Sequence, residues 1–461
     1  MDATDLCYLS AVEQKDLLDR KEISTVELID AHADRIERIN PQINAFVTLR
    51  LDGARDDAKA ADKARAKGGD LGVLHGLPVG VKDCFPTKGL RTTFASLAFK
   101  DNVPDVDHLV VEREKAAGAI ILGKLNTPEY TMARNTCDNP VFGPTRNPYD
   151  LSKCPGASSG GSGAALAAGL TPLADGSDIG GSVRNPAAWC NIVGHRPTAF
   201  MVPDVPNPLP WHNMNTPGPM TRTVADAALF LSALAGPDPR APVYVQAPFP
   251  PGLPDLARDL KGLKVGWGCD HGSIGVHPDI ARHFNEQRAV FESLGCVISD
   301  HDIDLRGLFD GAYDVLAHQR VAAEVEPAVG NGLDPGLEER AAWSRGLTGN
   351  DILEAEARRY RLWRDMAAAF EAYDVLVWPD DPHDPFGFDD EAAGDDIDWS
   401  LLTVAPLLGL PAVTVPFGFS DAGLPRGLQV HGRPGDDLLV LQVAQAFEQA
   451  TGHGKRRPVL E

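Results

Sequence analysis

Two short turns present serines among residues too small to form a core. Gly156-Ala157-Ser158-Ser159-Gly160-Gly161 leads into the alanine run Ala164 to Ala168, a helix start of small, closely packing residues. Asp178-Ile179-Gly180-Gly181-Ser182 is the second. Paired glycines just before a serine let successive backbone N–H groups converge beside its hydroxyl, which is what stabilising a developing oxyanion requires. Ser182 is therefore the candidate nucleophile, with the amides of Ile179, Gly180 and Gly181, together with its own, as candidate oxyanion donors. A serine hydroxyl needs a base within reach. None of the 13 histidines sits in a recognisable Ser-His-Asp context, and Ser182 lacks the Gly-x-Ser-x-Gly elbow of α/β-hydrolases. Of the 7 cysteines, Cys84, Cys137, Cys154 and Cys190 lie near the turns, but no partner histidine is signalled for them, so they read as small buried filler. The base comes from elsewhere.

The paired turns resemble those of the amidase signature family of serine hydrolases. That family places a serine in a Gly-Ser-Ser-Gly-Gly turn and its nucleophile 24 residues later, and Ser158 and Ser182 stand 24 positions apart. A family lysine motif is matched by Gly76-Leu77-Pro78-Val79-Gly80-Val81-Lys82-Asp83. Further likeness lies in Asn147-Pro148-Tyr149-Asp150, Thr216-Pro217-Gly218-Pro219-Met220, Leu410-Pro411-Ala412 and Gly427-Leu428-Gln429, so the resemblance covers nearly the whole chain. It implies a relay in which Ser182 passes its proton to Ser158, held by a cis peptide, and Ser158 to a neutral Lys82. Burial among residues such as Val79 and Val81 is what lowers a lysine enough to act so. Ala157 stands where the family usually has glycine. Asp178 and Arg184 flank the nucleophile turn with opposite charges and Ser159 neighbours the relay, so these three are expected to support the site without reacting. By position, Met132, Ala133 and Arg134, with Asn185, are expected near the substrate.

Further from the turns, a strand at Pro78 to Lys82 would deliver the lysine, and a second at Ala119 to Leu125 follows the helix Asp107 to Ala117. Ser10-Ala11-Val12-Glu13 and Ser24-Thr25-Val26-Glu27 are capping boxes opening two helices, the second ending at Asn40-Pro41. A third, solvated helix runs from Asp52 to Lys67. Pro203 to Pro219 is dense in proline, with Trp211 to Asn215 in its middle read as a mobile rim of the pocket, and Thr221 to Leu234 reads as a helix capped by its first threonine. Seven prolines between Pro237 and Pro254 form a stiff crossover before the strand Leu263 to Trp267. Pro278 to Phe370 is mostly helical, broken by a strand at Cys296 to Ile298. The strand Val375 to Pro379 opens into nine carboxylates between Asp380 and Asp398, read as a solvated lid or loop or as an acidic pocket mouth. Strands Val413 to Gly418 and Gly427 to Gly432 and a helix from Asp436 to Gln449 close the chain.

The expected fold is α/β, one large domain with a twisted mixed sheet covered by helices on both faces. N-terminal helices occupy 1–70, a catalytic core about 71–235, and further sheet with helical and lid elements about 260–461. Formal net charge is -22, which disfavours phosphate backbones and anionic lipid surfaces. Odd, scattered cysteines, an N-terminus without a basic and apolar leader, and no apolar stretch near ~18 residues predict a cytoplasmic protein, monomer or homodimer, that binds neither membrane nor nucleic acid. The resemblance implies an amidase that needs no metal or organic cofactor and takes a small-molecule amide, with carbamate (urethanase) or ester hydrolysis as variants. Two alternatives stand beside it: the glutaminase subunit of a tRNA-dependent amidotransferase, and a non-catalytic homologue acting as a binding protein. Against the first, the Gly-Leu-Lys-Pro-Thr-Tyr-Gly usual after that subunit's nucleophile turn is here Gly194-His195-Arg196-Pro197-Thr198-Ala199-Phe200.

Overall fold

Apolar and small residues bury both faces of most of the strands, the edge strands at Phe46–Leu49 and Val297–Asp300 being partly exposed, and the strands join into one sheet. The computed structural model describes residues 2–460 except Arg134, 246–248, Ser273, Asp302 and 389–396. Its strands are β1 (Phe46–Leu49), β2 (Pro78–Lys82), β3 (Ile120–Leu125), β4 (Leu173–Asp178), β5 (Val193–Arg196), β6 (Thr216–Thr221), β7 (Lys264–Trp267), β8 (Val297–Asp300), β9 (Val375–Pro379), β10 (Ala412–Phe419) and β11 (Pro425–His431). They form an 11-stranded mixed sheet in the order β1-β3-β2-β4-β6-β5-β10-β11-β9-β7-β8. Parallel pairs β2/β3 and β2/β4 sit toward one end and β7/β8 and β7/β9 toward the other, with antiparallel strands between.

Alternation along the strands assigns them to cores on opposite faces. Ile121 packs in one core while Ile120 and Leu122 pack in another. Likewise Val375 and Val377 face one core while Leu376 and Trp378 face a third. Each fully buried side chain of this size contributes about 1.5–3 kcal/mol, and helices supply the opposing apolar surface. Among the described residues no helix is long and apolar enough to cross a membrane.

Both N-terminal capping boxes form, at Ser10/Glu13 and Ser24/Glu27. The helix opened by Ser24 does not end at Asn40-Pro41 but runs through Pro41 to Ile43, closing on Asn44 in the left-handed region. Asn40 explains the continuation: its Oδ1 accepts from Ala45 and Phe46 N–H, and its Nδ2 donates to Phe46 O, tying the helix end to β1. The helix Leu51–Lys67 is solvated on one side only, since Leu51, Ala54, Ala58 and Ala61 are buried. The proline-dense stretch contains β6, a central strand. Its prolines are two apart, so both lack N–H on the same edge, and the donors toward β4 fall to Thr216, Gly218 and Met220. The helix after it therefore begins later than its first threonine: Thr221 belongs to β6, and Thr223 caps Val224–Leu234.

Candidate active site

β2 ends on Lys82, whose side chain is fully buried. Its Nζ lies 2.7 Å from Ser158 Oγ, 2.8 Å from Ser159 Oγ and 3.0 Å from Ser177 Oγ. Burial disfavours its charged form, and the nearby carboxyls of Asp175 and Asp178 only partly offset this, so its pKa is lowered from the ordinary lysine value. Cys84 and Cys137 are pushed up to about 11 by burial, so they stand here as thiols, in keeping with filler. Ser177 has no motif to single it out in the sequence. The available signal is strand alternation: Asp175 and Ser177 lie two apart on β4, and Asp175 Oδ1 accepts the Lys82 backbone N–H at 2.6 Å while Ser177 meets its Nζ.

Ser158 follows a cis peptide bond from Ala157 and precedes the helix Gly160–Ala167. The Ala157 N–H donates to Asn185 Oδ1 at 2.9 Å, and Asn185 Nδ2 donates to Asp381 Oδ1 at 3.0 Å. Asn185 thus lines the pocket and also ties the two serine turns together. Asp381 and its neighbour Asp380 are buried, Asp380 accepting from Thr414 Oγ1 at 2.5 Å. At these two positions the acidic stretch is neither a solvated lid nor an acidic mouth; it is a buried support for the turns. Asp384 pairs with Arg426, and 389–396 lie outside the described residues.

Ser182 Oγ opens onto the pocket with Ser158 and makes no hydrogen bond among the described residues; its carbonyl accepts from Ser159 N–H at 3.2 Å. The Lys82–Ser158 contact is formed, and the Ser158–Ser182 one is not. Gly180 and Gly181 are glycine for tangible reasons. A Cβ on Gly180 would lie 2.0 Å from Tyr313 Oη, and Gly181 has φ 101°. The Gly181 amide donates to Asp178 Oδ1 at 2.9 Å, so of the expected oxyanion donors the amides of Ile179, Gly180 and Ser182 are the ones without such a partner among the described residues. Asp178 takes a two-pronged contact from Arg184, with Nε to Oδ2 and Nη2 to Oδ1 both at 3.0 Å, and Arg196 lies 3.4 Å from Oδ1. Burial opposes its charge, but the two guanidiniums outweigh burial and hold the carboxyl at about 2.

The turns open into a cavity of about 200 Å³. Met132 lines it as expected, while Ala133 packs beside Met132 away from the cavity and Arg134 lies outside the described residues. The opposite wall was not foreseen. Phe309 and Tyr313, stacked with ring centroids 5.2 Å apart, join Trp399 and Leu402 on its apolar side. Asp314 and His318, 2.5 Å apart, and Arg340 make its polar side. No local motif marks these positions; they converge only through the tertiary fold.

The model of the Amidase family matches residues 27–441, and the chain belongs to that family. A glutamyl-tRNA(Gln) amidotransferase subunit of Moorella thermoacetica is 38% identical over 486 aligned positions, covering 99% of each chain. Among solved structures, a bacterial aryl acylamidase of the amidase signature family superposes with TM-score 0.89 at 29% identity, covering 98% of this chain and 99% of that one. The corresponding glutamyl-tRNA(Gln) amidotransferase subunit of Thermotoga maritima superposes with TM-score 0.79 at 28% identity, covering 96% and 95%.

Proposed function

We propose that the protein hydrolyses a carboxamide C–N bond through an acyl-enzyme on Ser182, with Ser158 as proton relay and Lys82 as base. The observation that carries this reading is the company of Lys82 Nζ: a fully buried amine bonded, among the described residues, to three hydroxyls and to no carboxylate. An ion pair would fix the ammonium, whereas burial among hydroxyls favours the neutral amine, which accepts a proton from Ser158 as Ser158 takes one from Ser182. The oxyanion would meet the amides of Ile179, Gly180 and Ser182, each worth roughly 3 kcal/mol in comparable sites. Collapse of the tetrahedral intermediate returns the proton through Ser158 to the leaving amine, and water releases the acyl group by the reverse path. The small cavity and its aromatic wall suit an apolar acyl or leaving group, with amides first and carbamates or esters open to the same chemistry.

A second reading, the glutamine-hydrolysing subunit of an amidotransferase, is supported by Arg340 on the cavity wall, a cation suited to a substrate carboxylate, and by the 38% identity to the Moorella protein. One experiment addresses both. Intact mass spectrometry after a fluorophosphonate should show one adduct, mapped to Ser182 and missing in Ser182→Ala. A panel of anilides, primary amides, aryl carbamates, esters and glutamine then ranks substrates. Turnover of the isolated chain on anilides or carbamates but not glutamine supports the first reading, and glutamine-specific turnover supports the second. No adduct on folded protein overturns the role given to Ser182.

A further inference from the structure

Behind Lys82, away from the pocket, lie two buried carboxyl groups that the mechanism does not use. Glu114, on the helix Leu109–Ala116, is fully buried, and Asp175 on β4 is 1% exposed. The two side chains meet. Asp175 Oδ1 holds the Lys82 backbone N–H, while Asp175 Oδ2 and both Glu114 oxygens have no other hydrogen-bond partner among the described residues. Buried carboxyl oxygens without donors are costly, and two carboxylates in contact in a dry site cannot both stay ionised. One proton between them removes both problems.

The surrounding charges decide which carboxyl keeps it. Asp175 faces the Lys82 N–H, Lys82 Nζ and Lys124. Glu114 faces Asp175, Lys124 on β3 and Lys115 on its own helix, and Lys115 is turned outward to Asp107. Lys124 also serves Asp83 and is anchored on Phe85 O at 2.5 Å and Thr87 Oγ1 at 2.9 Å, beside the thiol of Cys84. Asp175 therefore has the better claim to the negative charge, and Glu114 to the proton.

We infer that Glu114 is a protonated carboxyl donating to Asp175 Oδ2, and that the pair is a positioning device which fixes the end of β2 and leaves one negative charge, not two, behind Lys82. Neither residue touches a reacting atom; both act through Lys82. Burial pushes both carboxyls up, Glu114 well above the usual range, which accords with this arrangement. A second charge there would hold Lys82 as the ammonium and stop it accepting the proton of Ser158. This last step rests on the role proposed for Lys82; the shared proton does not.

The test has two arms. The first compares thermal unfolding of wild type and Glu114→Gln from about pH 4 to pH 7. A carboxyl raised in the folded state contributes stability below its unfolded pKa and loses it as pH rises, so the variant, which lacks that loss, should gain in Tm relative to wild type toward pH 7. A relative fall toward pH 7 would mean an ionised Glu114 paired with Lys124 and would overturn the inference. The second arm measures the pH midpoint of fluorophosphonate labelling at Ser182. Glu114→Gln should leave it in place, because a neutral donor replaces a neutral donor. Glu114→Gln/Asp175→Asn, which removes the one remaining charge, should move it to lower pH by about one unit. An unmoved midpoint in the folded double variant would overturn the link to Lys82. Failure of wild type itself to label would overturn the role given to Ser182 and with it this link, while the first arm still decides the shared proton.

Discussion

The two walls of the cavity are built by opposite means. The wall carrying the serines and lysine comes from residues 82–185, two strand ends and two turns, and apart from Ser182, whose hydroxyl opens onto the pocket, its polar side chains are buried and hydrogen-bonded in detail. The facing wall comes from segments some 130 residues or more further along, Phe309 to Arg340 and Ile397 to Leu402, and is mostly aromatic and aliphatic. The first wall has little freedom. Gly180 has no room for a side chain, Gly181 needs its positive φ, and Asp178 is fixed by two arginines. The second wall needs only shape and a few polar groups. On the function proposed above, chemistry falls to one wall and choice of substrate to the other, and substitutions on each should behave differently.

The sharpest way to break this division is to remove the chemistry. Ser182→Ala and Lys82→Met should each lower kcat by about 10⁴-fold or more with the circular dichroism of wild type, as loss of a nucleophile or base does elsewhere. Rates within tenfold of wild type in either folded variant would move the reaction away from this wall. Next in size is Asp178→Asn. It leaves Arg184 and Arg196 without their carboxylate, and breaking a buried pair in this way costs about 3–5 kcal/mol, read as a fall in Tm near neutral pH. The sign with pH follows from a folded value of about 2 against the ordinary 3.8. Stability from Asp178 is fully present above 3.8 and lost as pH falls toward 2, so the gap in Tm between wild type and variant should narrow over that window. A constant gap would mean that the charge of Asp178 is not what the arginines hold.

These expectations also mark what was legible in the sequence. The wall with the serines was readable because glycine-built turns and a buried lysine demand particular residue types at fixed spacing: Lys82 meets Ser158, Asp178 meets Arg184, and Ser182 shares the cavity with Ser158 without bonding to it. Ser177 and Asp175 were one step less visible: only the alternation of β4 places them beside Lys82. Asp380 and Asp381 were misleading, because a run of carboxylates reads as solvent-facing until tertiary packing buries two of them behind Asn185. β6 was hidden by Pro217 and Pro219, which look like loop residues unless their missing N–H groups face away from β4. The aromatic wall had no sequence signal at all, since its residues share no motif and meet only when the helical segment folds across the sheet.

Asn185 stands between the walls and sharpens the comparison. It lines the cavity, yet its side-chain bonds run to Ala157 beside Ser158 and to the buried Asp381, not to the residues of the facing wall. Asn185→Ala removes the acceptor for the Ala157 N–H and leaves Asp381 without that donor. If Asn185 belongs to the chemistry, kcat should fall by tens to hundreds of times with KM little changed, the pattern of an interaction that orders the reacting groups. A rise in KM alone would assign it to substrate binding, as its position in the sequence first suggested.

Tyr313→Phe should have the smallest effect and is the finest test of the division. Tyr313 is an unforeseen residue against the serine turn, its Oη packed against Gly180, so it is one place where the two walls touch. Its ring, stacked on Phe309, survives in the variant, and only the hydroxyl is lost. If the hydroxyl serves the substrate, KM for the best panel substrate should change by no more than about tenfold, the range of one hydrogen bond of about 1 kcal/mol, and labelling of Ser182 by a small fluorophosphonate should keep its rate. A matching fall in labelling rate would show instead that the hydroxyl shapes the Ile179-Gly180 turn and stabilises the oxyanion. The boundary between chemistry and selection would then run through the aromatic wall rather than along its edge.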